Sequence, residues 1–393
     1  MRVAFCVQRY GADVAGGAEA LCRRTARALS EAGDEVVVYT TTARDYLSWA
    51  PHHPEGTHAE DGVTVRRFAV RPPDPRRAAD LVRALALSPG DDARERAWAL
   101  AQGPVSPGMC AALAGAAARH EVVVFWTYLY AHAQLGIPLC RDRAVLVPLA
   151  HDEPMLRFTL SRGVTRSAAG LAFMTPEEAL LVDDLHGVGR RPAAVVGTGL
   201  DPPLPAAAAP PPLPWGRGGY VLYLGRVDPA KGVTDLVRDH ARYRAGGGRL
   251  GLVLAGRPTV PLRLPDWVVT TGWVDDDARA GLLDGCAAVA LPSRYESLSL
   301  VALEAWQRGR PTVACALSEV LVGQTRRSGA GLLYADAAGY ADALGRLQRE
   351  PGLAADLGAA GMAWTAGQTW DAAVRRWRAL LALVRRPLAS SPA

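Results

Sequence analysis

Short apolar runs alternate with amphipathic stretches along almost the whole chain. Val3–Val7, Glu35–Tyr39, Val63–Phe68, Val122–Trp126, Ala144–Pro148 and Gly170–Met174 read as strands. A second series repeats the rhythm at Tyr220–Leu224, Gly251–Ala255, Trp267–Thr271, Ala287–Leu291 and Pro311–Ala314. Helical patterns lie between the runs, as in the stretch from about Glu19 to Ala32. Strands interleaved with helices predict parallel sheets covered by helices, an α/β fold.

The rhythm breaks once, at Asp201–Trp215, where prolines crowd around four consecutive alanines. No regular element survives that composition, so the stretch reads as a stiff linker. The expected organisation is one doubly wound domain over residues 1–200, a linker at 201–216 and a second such domain at 217–369. Two such domains make a cleft, and ligands of such sheets bind at the C-terminal ends of strands. A last helix, Trp370 to about Val384, puts Val374, Trp377, Leu381 and Val384 on one face. That face is expected to dock on protein, with the helix, extended to residue 386, packing back on the first domain. Contact of its arginines, Arg375, Arg376, Arg378, Arg385 and Arg386, with a membrane surface is the less favoured alternative.

Composition changes this picture little. A chain of 393 residues is long enough for two full cores. The net charge of +5 is small and local, which argues against nucleic acid as a partner. The six cysteines are scattered without a Cys-x-x-Cys pair, as expected of free thiols in a reducing cytoplasm rather than of a zinc site. No apolar run approaches the length of a membrane span, and the start lacks a signal-peptide core, so a cytoplasmic location is expected. Lysine occurs once, at Lys231, which singles out its surroundings.

Candidate chemistry concentrates at the ends of predicted strands. After Ala287–Leu291 comes Pro292-Ser293-Arg294-Tyr295-Glu296-Ser297-Leu298-Ser299-Leu300, and Glu304 follows. A helix from Leu298 onward would put Glu296 at its mouth and Glu304 about two turns inside. The first N–H groups of such a helix lack helical partners and attract anions. Two carboxylates flanking a phosphate seat suit a ligand with hydroxyls on both sides of its phosphates, as in a nucleotide sugar. The loop Gly225-Arg226-Val227-Asp228-Pro229-Ala230-Lys231-Gly232 places a guanidinium and an ammonium at another strand end, a pairing suited to a diphosphate. It is not a Walker A loop. For Gly16-Gly17-x-Glu19 the alternatives are an anion-binding helix start and a turn in which Glu19 complements the helix dipole. His151-Asp152-Glu153 offers an imidazole, either structural or aimed at a sugar hydroxyl. Asp275-Asp276-Asp277 reads as a helix cap rather than a metal site. Tyr46, Trp49, His52 and His53, and Phe125, Trp126, Tyr128 and Tyr130, are either pocket walls or core.

Taken together, these motifs resemble glycosyltransferase family 4, retaining nucleotide-sugar enzymes of GT-B fold. The resemblance rests on Gly16-Gly17-x-Glu19, Gly225-Arg226…Lys231-Gly232, Glu296-x7-Glu304 and Gly309-x-Pro311-x-Val313. A bacterial subgroup is also matched at Ala43-Arg44-Asp45-Tyr46-x-x-Trp49, Gln102-Gly103-Pro104 and Pro148-x-x-His151-Asp152-Glu153. It implies two Rossmann-like domains facing a central cleft, the first for the acceptor and the second for the donor. It implies that Arg226 and Lys231 hold the donor diphosphate, Glu296 the transferred sugar and Glu304 the ribose. The Gly16-Gly17 loop and the Leu298-Ser299-Leu300 backbone would meet the phosphates, and His151 the donor sugar. Tyr46, Trp49, Gln102, Tyr128 and Tyr130 would line the acceptor side. No metal or other cofactor is expected, and UDP-sugars are the favoured donors. Many members carry Glu-Gly-Phe-Gly-Leu where this chain has Glu296-Ser297-Leu298-Ser299-Leu300, which leaves less room near the phosphate. Rival readings are a degenerate binding or auxiliary protein, an NAD-dependent oxidoreductase, and a nucleotide-sugar epimerase or phosphorylase of the same fold.

Overall fold

The structure, a computed structural model, describes residues 1–14, 16–88, 90–205, 213–215, 219–259 and 264–388. It divides into two compact units, Met1–Thr198 with the chain from Trp370 onward, and Gly199–Thr369.

The first unit runs β1 (Arg2–Cys6), α1 (Gly17–Glu31), β2 (Glu35–Thr41), β3 (Gly56–Glu60), β4 (Val63–Phe68), α2 (Pro75–Leu87), α3 (Asp92–Gln102), α4 (Pro107–Ala114), β5 (Val122–Trp126), α5 (Ala131–Gly136), β6 (Ala144–Val147), α6 (Thr159–Ser167), β7 (Gly170–Phe173), α7 (Pro176–His186) and β8 (Ala193–Val195). Its strands form one sheet in the order β3-β4-β2-β1-β5-β6-β7-β8. All described pairings are parallel except β3 with β4. The central strands read as near-continuous apolar runs because both faces are covered; β5 is buried at every position. By contrast β3, with the sequence Gly-Thr-His-Ala-Glu, is mostly exposed at the sheet edge, and its polarity hid it from the apolar pattern.

The second unit contains β9 (Tyr220–Leu224), α8 (Val233–Ala245), β10 (Gly251–Ala255), β11 (Val268–Gly272), α9 (Asp276–Gly285), β12 (Ala288–Leu291), α10 (Leu300–Gln307), β13 (Thr312–Cys315), α11 (Glu319–Ser328), β14 (Gly331–Tyr334), α12 (Ala337–Arg349) and α13 (Leu353–Ala366). Its sheet is parallel throughout, ordered β11-β10-β9-β12-β13-β14. The core gathers Tyr220, Leu222, Leu254, Val289, Leu303, Trp306 and Tyr340.

Of the proline-rich stretch, residues 206–212 and 216 lie outside the described residues, and the described remainder holds neither helix nor strand. Part of it lies along the second unit. The Leu200 N–H donates to the Gln368 carbonyl at 2.7 Å, Gln307 Nε2 to the Asp201 carbonyl at 2.7 Å, and Arg308 Nη2 to the Leu204 carbonyl at 2.7 Å.

The chain then returns to the first unit through α14 (Trp370–Val384), which buries Ala373, Val374, Trp377, Leu380, Leu381 and Val384. Trp377 meets Phe5 and Trp126 with ring centroids 6.3 and 5.9 Å away. Two of the tail arginines are occupied by protein. Arg376 Nε donates to the Val196 carbonyl at 2.7 Å, and Arg378 Nε to Asp34 Oδ2 at 2.8 Å. No helix among the described residues is long and apolar enough to cross a membrane.

Candidate active site

In the second unit β9 continues on one side to β10 and on the other has β12 as neighbour, so the connections after β9 and β12 leave in opposite directions. Ligands of open α/β sheets settle at such a switch point, beyond the C-terminal ends of the strands. Arg226 and Lys231 follow β9, whereas Glu296 and α10 follow β12.

The loop after β9 is shaped from within. Asp228 caps a short 3-10 turn by accepting from the Ala230 N–H at 2.9 Å, and the turn ends on Lys231. Gly232 then takes a left-handed conformation, φ 76°, and caps α8. A Cβ there would lie 2.5 Å from the Pro292 carbonyl oxygen, so this glycine lets the two loops touch. The contact brings Lys231 to Glu296: Nζ donates to Glu296 Oε1 at 3.0 Å and to the Tyr295 carbonyl at 3.3 Å. Ser293 folds the other loop, accepting from the Tyr295 N–H and donating to the Tyr295 carbonyl. Tyr223 donates to the Arg226 carbonyl at 2.6 Å. Burial, reinforced by the Glu296 charge, pushes the Tyr223 phenol above its ordinary range. Arg226 Nη1 stands 4.0 Å from Asp228 Oδ2 and its side chain is partly exposed.

Helix α10 begins later than the sequence pattern implies. Ser299 is its cap, accepting from the Ala302 N–H at 3.3 Å, so Leu298 stays in the loop and Glu304 lies little more than one turn inside. The Ser299 N–H is taken by Gln324 Oε1 at 2.9 Å, which removes it from the donors expected to meet a phosphate. The N–H groups of Leu300 and Val301 come first in the helix, where no helical acceptor exists. Glu304 accepts from Arg279 Nη1 at 3.4 Å, and this arginine also pairs with Asp276. Asp275 caps α9 through the Ala278 N–H, the role expected for that acidic run.

In the first unit Gly16 precedes α1, which starts at Gly17 rather than near Glu19. A Cβ on Gly16 would fall 2.0 Å from Glu19 Oε2, because the Glu19 side chain folds back over the helix start. Glu19 is buried, accepts from Gln8 Nε2 at 2.7 Å and pairs closely with Arg9. Arg9 also donates to the Arg44 carbonyl at 2.8 Å and lies over the Tyr46 ring, 5.3 Å from its centroid. The anion that meets this helix start is therefore the chain's own carboxylate. Sequence reasoning missed Arg9; its position two residues beyond the first predicted strand was the available signal.

His151 follows β6, with Nδ1 3.6 Å from Glu153 Oε1. Tyr128 donates to the same oxygen at 2.6 Å. Tyr128 is fully buried and its phenol is raised well above its usual range, by burial first and then by Glu153. It supports Glu153 and forms no accessible acceptor wall. Trp49 is likewise buried: Nε1 donates to the Gln102 carbonyl at 2.7 Å, and its ring meets Tyr130 edge-on at 5.4 Å. The structure thus unites Trp49, Gln102 and Tyr130, but with Trp49 as packing. Tyr46 and Tyr130 remain half-buried. A separate hollow of about 330 Å³ is lined by residues including Glu95, Gln134 and Thr159, none of them a site residue expected from the sequence. Its Glu95 accepts from the Leu160 N–H at 2.8 Å and so serves the start of α6.

The fold is shared with solved structures over nearly the whole chain. Sucrose-phosphate synthase from Thermosynechococcus elongatus is 20% identical, with a TM-score of 0.71, covering 97% of this chain and 99% of that one. Anabaena HepE in complex with UDP and glucose is 16% identical, with a TM-score of 0.68 and coverage of 97% and 99%. The architecture is GT-B: two Rossmann-like α/β units. The model of the family described as Glycosyl transferases group 1 matches residues 218–350, which include Arg226, Lys231, Glu296 and Glu304. A glycogen synthase of Mycobacterium tuberculosis is 27% identical over 368 residues, 83% of this chain and 81% of its own. A D-inositol 3-phosphate glycosyltransferase of Stackebrandtia nassauensis is 28% identical over 357 residues, 79% and 74% of the two chains. The match to the group 1 glycosyltransferases thus covers the larger part of the second unit, and what the chain shares along its whole length is the GT-B fold.

Proposed function

We propose that the chain moves a hexose-type sugar from a nucleoside-diphosphate sugar, with UDP-sugars favoured, to a saccharide, lipid-linked or small natural-product acceptor. Transfer retains the anomeric configuration and requires no metal, and the reaction is cytoplasmic. The observation that carries this reading is the meeting of Lys231 and Glu296 at the switch point of the second sheet, beside the start of α10. Solved relatives holding UDP and UDP-glucose support the donor class.

In this reading the diphosphate draws Lys231 away from Glu296. Both side chains are partly exposed, and a pair of that kind is worth about 0–1 kcal/mol, so the exchange costs little. Glu296, released, accepts from hydroxyls of the transferred sugar. Glu304, held by Arg279, accepts from the ribose. Arg226 adds a second cation. As the glycosidic bond to the diphosphate stretches, negative charge grows on the leaving phosphate and the sugar becomes oxocarbenium-like. Prepositioned cations and the Leu300 and Val301 N–H groups favour that state. Within the first unit, His151, beside Glu153 and with Tyr128 behind that carboxylate, is the candidate hydrogen-bonding group for a sugar hydroxyl.

Nucleoside diphosphate release from UDP-glucose, with and without acceptor saccharides, tests the reading. A charge-assisted hydrogen bond is worth about 1.5–3 kcal/mol. Lys231→Ala and Arg226→Ala are therefore each expected to lower turnover by roughly tenfold or more, at about 1.36 kcal/mol per decade. Normal turnover in both variants would remove the basis of the proposal.

A further inference from the structure

A second cluster stands apart from the donor chemistry, in the first unit, where the loops after β1 and β2 meet. His52 and His53 follow β2, and both of their N–H groups donate to one acceptor, the Thr42 carbonyl, at 2.9 Å. An isolated bridge between Ala43 and Pro51 closes the loop just before them. Their rings pack edge-on, 4.8 Å apart. Opposite them is Asp13, in the loop after β1. Asp13 Oδ2 lies 3.2 Å from His52 Nε2, and Asp13 Oδ1 lies 3.5 Å from His53 Nε2. The ligand atoms of all three residues fall within 4.8 Å of one another. His53 Nε2 is shielded from solvent yet makes no hydrogen bond among the described residues.

We infer that Asp13, His52 and His53 form a zinc site that clasps the loop after β1 to the loop after β2. Four-coordinate zinc with bonds of about 2.0–2.1 Å sets neighbouring ligand atoms about 3.3 Å apart. Each imidazole lies near that spacing from a different Asp13 oxygen, and one ligand atom from each residue, within 4.8 Å of the others, would draw together on the ion. Two imidazoles and one carboxylate favour zinc over magnesium or calcium, which prefer oxygen ligands. Arg44 Nη1, 3.8 Å from Asp13 Oδ2, competes for that oxygen and weakens the site. Three protein ligands leave a fourth position for water.

The test is equilibrium dialysis of tag-free protein against zinc sulfate, with bound zinc counted by elemental analysis. The parent chain and His58→Ala, a histidine outside the cluster, should each hold one zinc. Asp13→Asn, His52→Ala and His53→Ala should bind it at least tenfold more weakly while circular dichroism shows an intact fold. Failure of the parent to hold zinc, or equal affinity in all three variants, overturns the assignment.

Discussion

His132 and His240 are two of the buried imidazoles, one in each unit. His132 Nε2 is 2.8 Å from the Trp126 carbonyl, and His240 Nε2 is 3.0 Å from the Leu250 carbonyl. A carbonyl only accepts, so Nε2 carries the proton in both, and His240 Nδ1 is left to accept from the Tyr340 hydroxyl at 2.9 Å. Burial pushes both pKa values down to about 4. The unfolded chain takes up these protons near pH 6.5, whereas the native state refuses them until about pH 4. Their contribution is complete above pH 6.5 and is lost as pH falls through about 4, up to about 3 kcal/mol for each histidine. Urea unfolding followed between pH 7 and pH 4 should show that decline, and a flat profile would contradict it. Gly232 makes a second prediction at this scale. Alanine there meets both a left-handed backbone and the Pro292 carbonyl, and should cost about 1–3 kcal/mol. Because the contact sets Lys231 against Glu296, Gly232→Ala should weaken nucleoside diphosphate binding as well as stability, which titration calorimetry can measure. Lys231, Glu296 and Arg226 were legible as candidates because unusual residues fell at strand ends. The supports were not. Nothing local pairs Arg9 with Glu19, or Tyr128 with a glutamate 25 positions away.

Among the elements, buried strands were the most legible, since both-sided burial leaves an unmistakable apolar run. Those that escaped were β3, β8 and β14, which are exposed or only partly covered. The start of α10 was misplaced because Ser299 and Leu300 look alike in a periodicity that does not register caps. Helix α14 lays its buried face on the first unit. Its apolar stripe placed Trp377, which the structure sets between Phe5 and Trp126. Removing a buried tryptophan from such a contact typically costs about 3–5 kcal/mol. Trp377→Ala should lower the denaturation midpoint of the first unit by a corresponding amount, and an unchanged midpoint would mean that α14 contributes little.

At the scale of the whole molecule, the strand orders give the motifs their meaning. Arg226 and Glu296 are 70 positions apart in the chain, yet they follow adjacent strands of one sheet because β9 and β12 pair. A ligand that binds only the native state raises apparent stability, by about 2.7 kcal/mol at a hundredfold excess over its Kd. UDP should therefore raise the melting temperature of the chain, and Lys231→Ala should reduce the shift. No shift with any nucleoside diphosphate would tell against the donor reading. The sequence alone determined the alternation of strand and helix, the break near residue 200 and the identity of the cations and carboxylates, because burial period and residue chemistry are local properties. Tertiary structure alone decided which strands pair, where α10 begins, which polar groups are consumed by one another and which histidines gather around Asp13. Each of these depends on groups distant in the chain meeting within a few ångströms, a distance that no local pattern encodes.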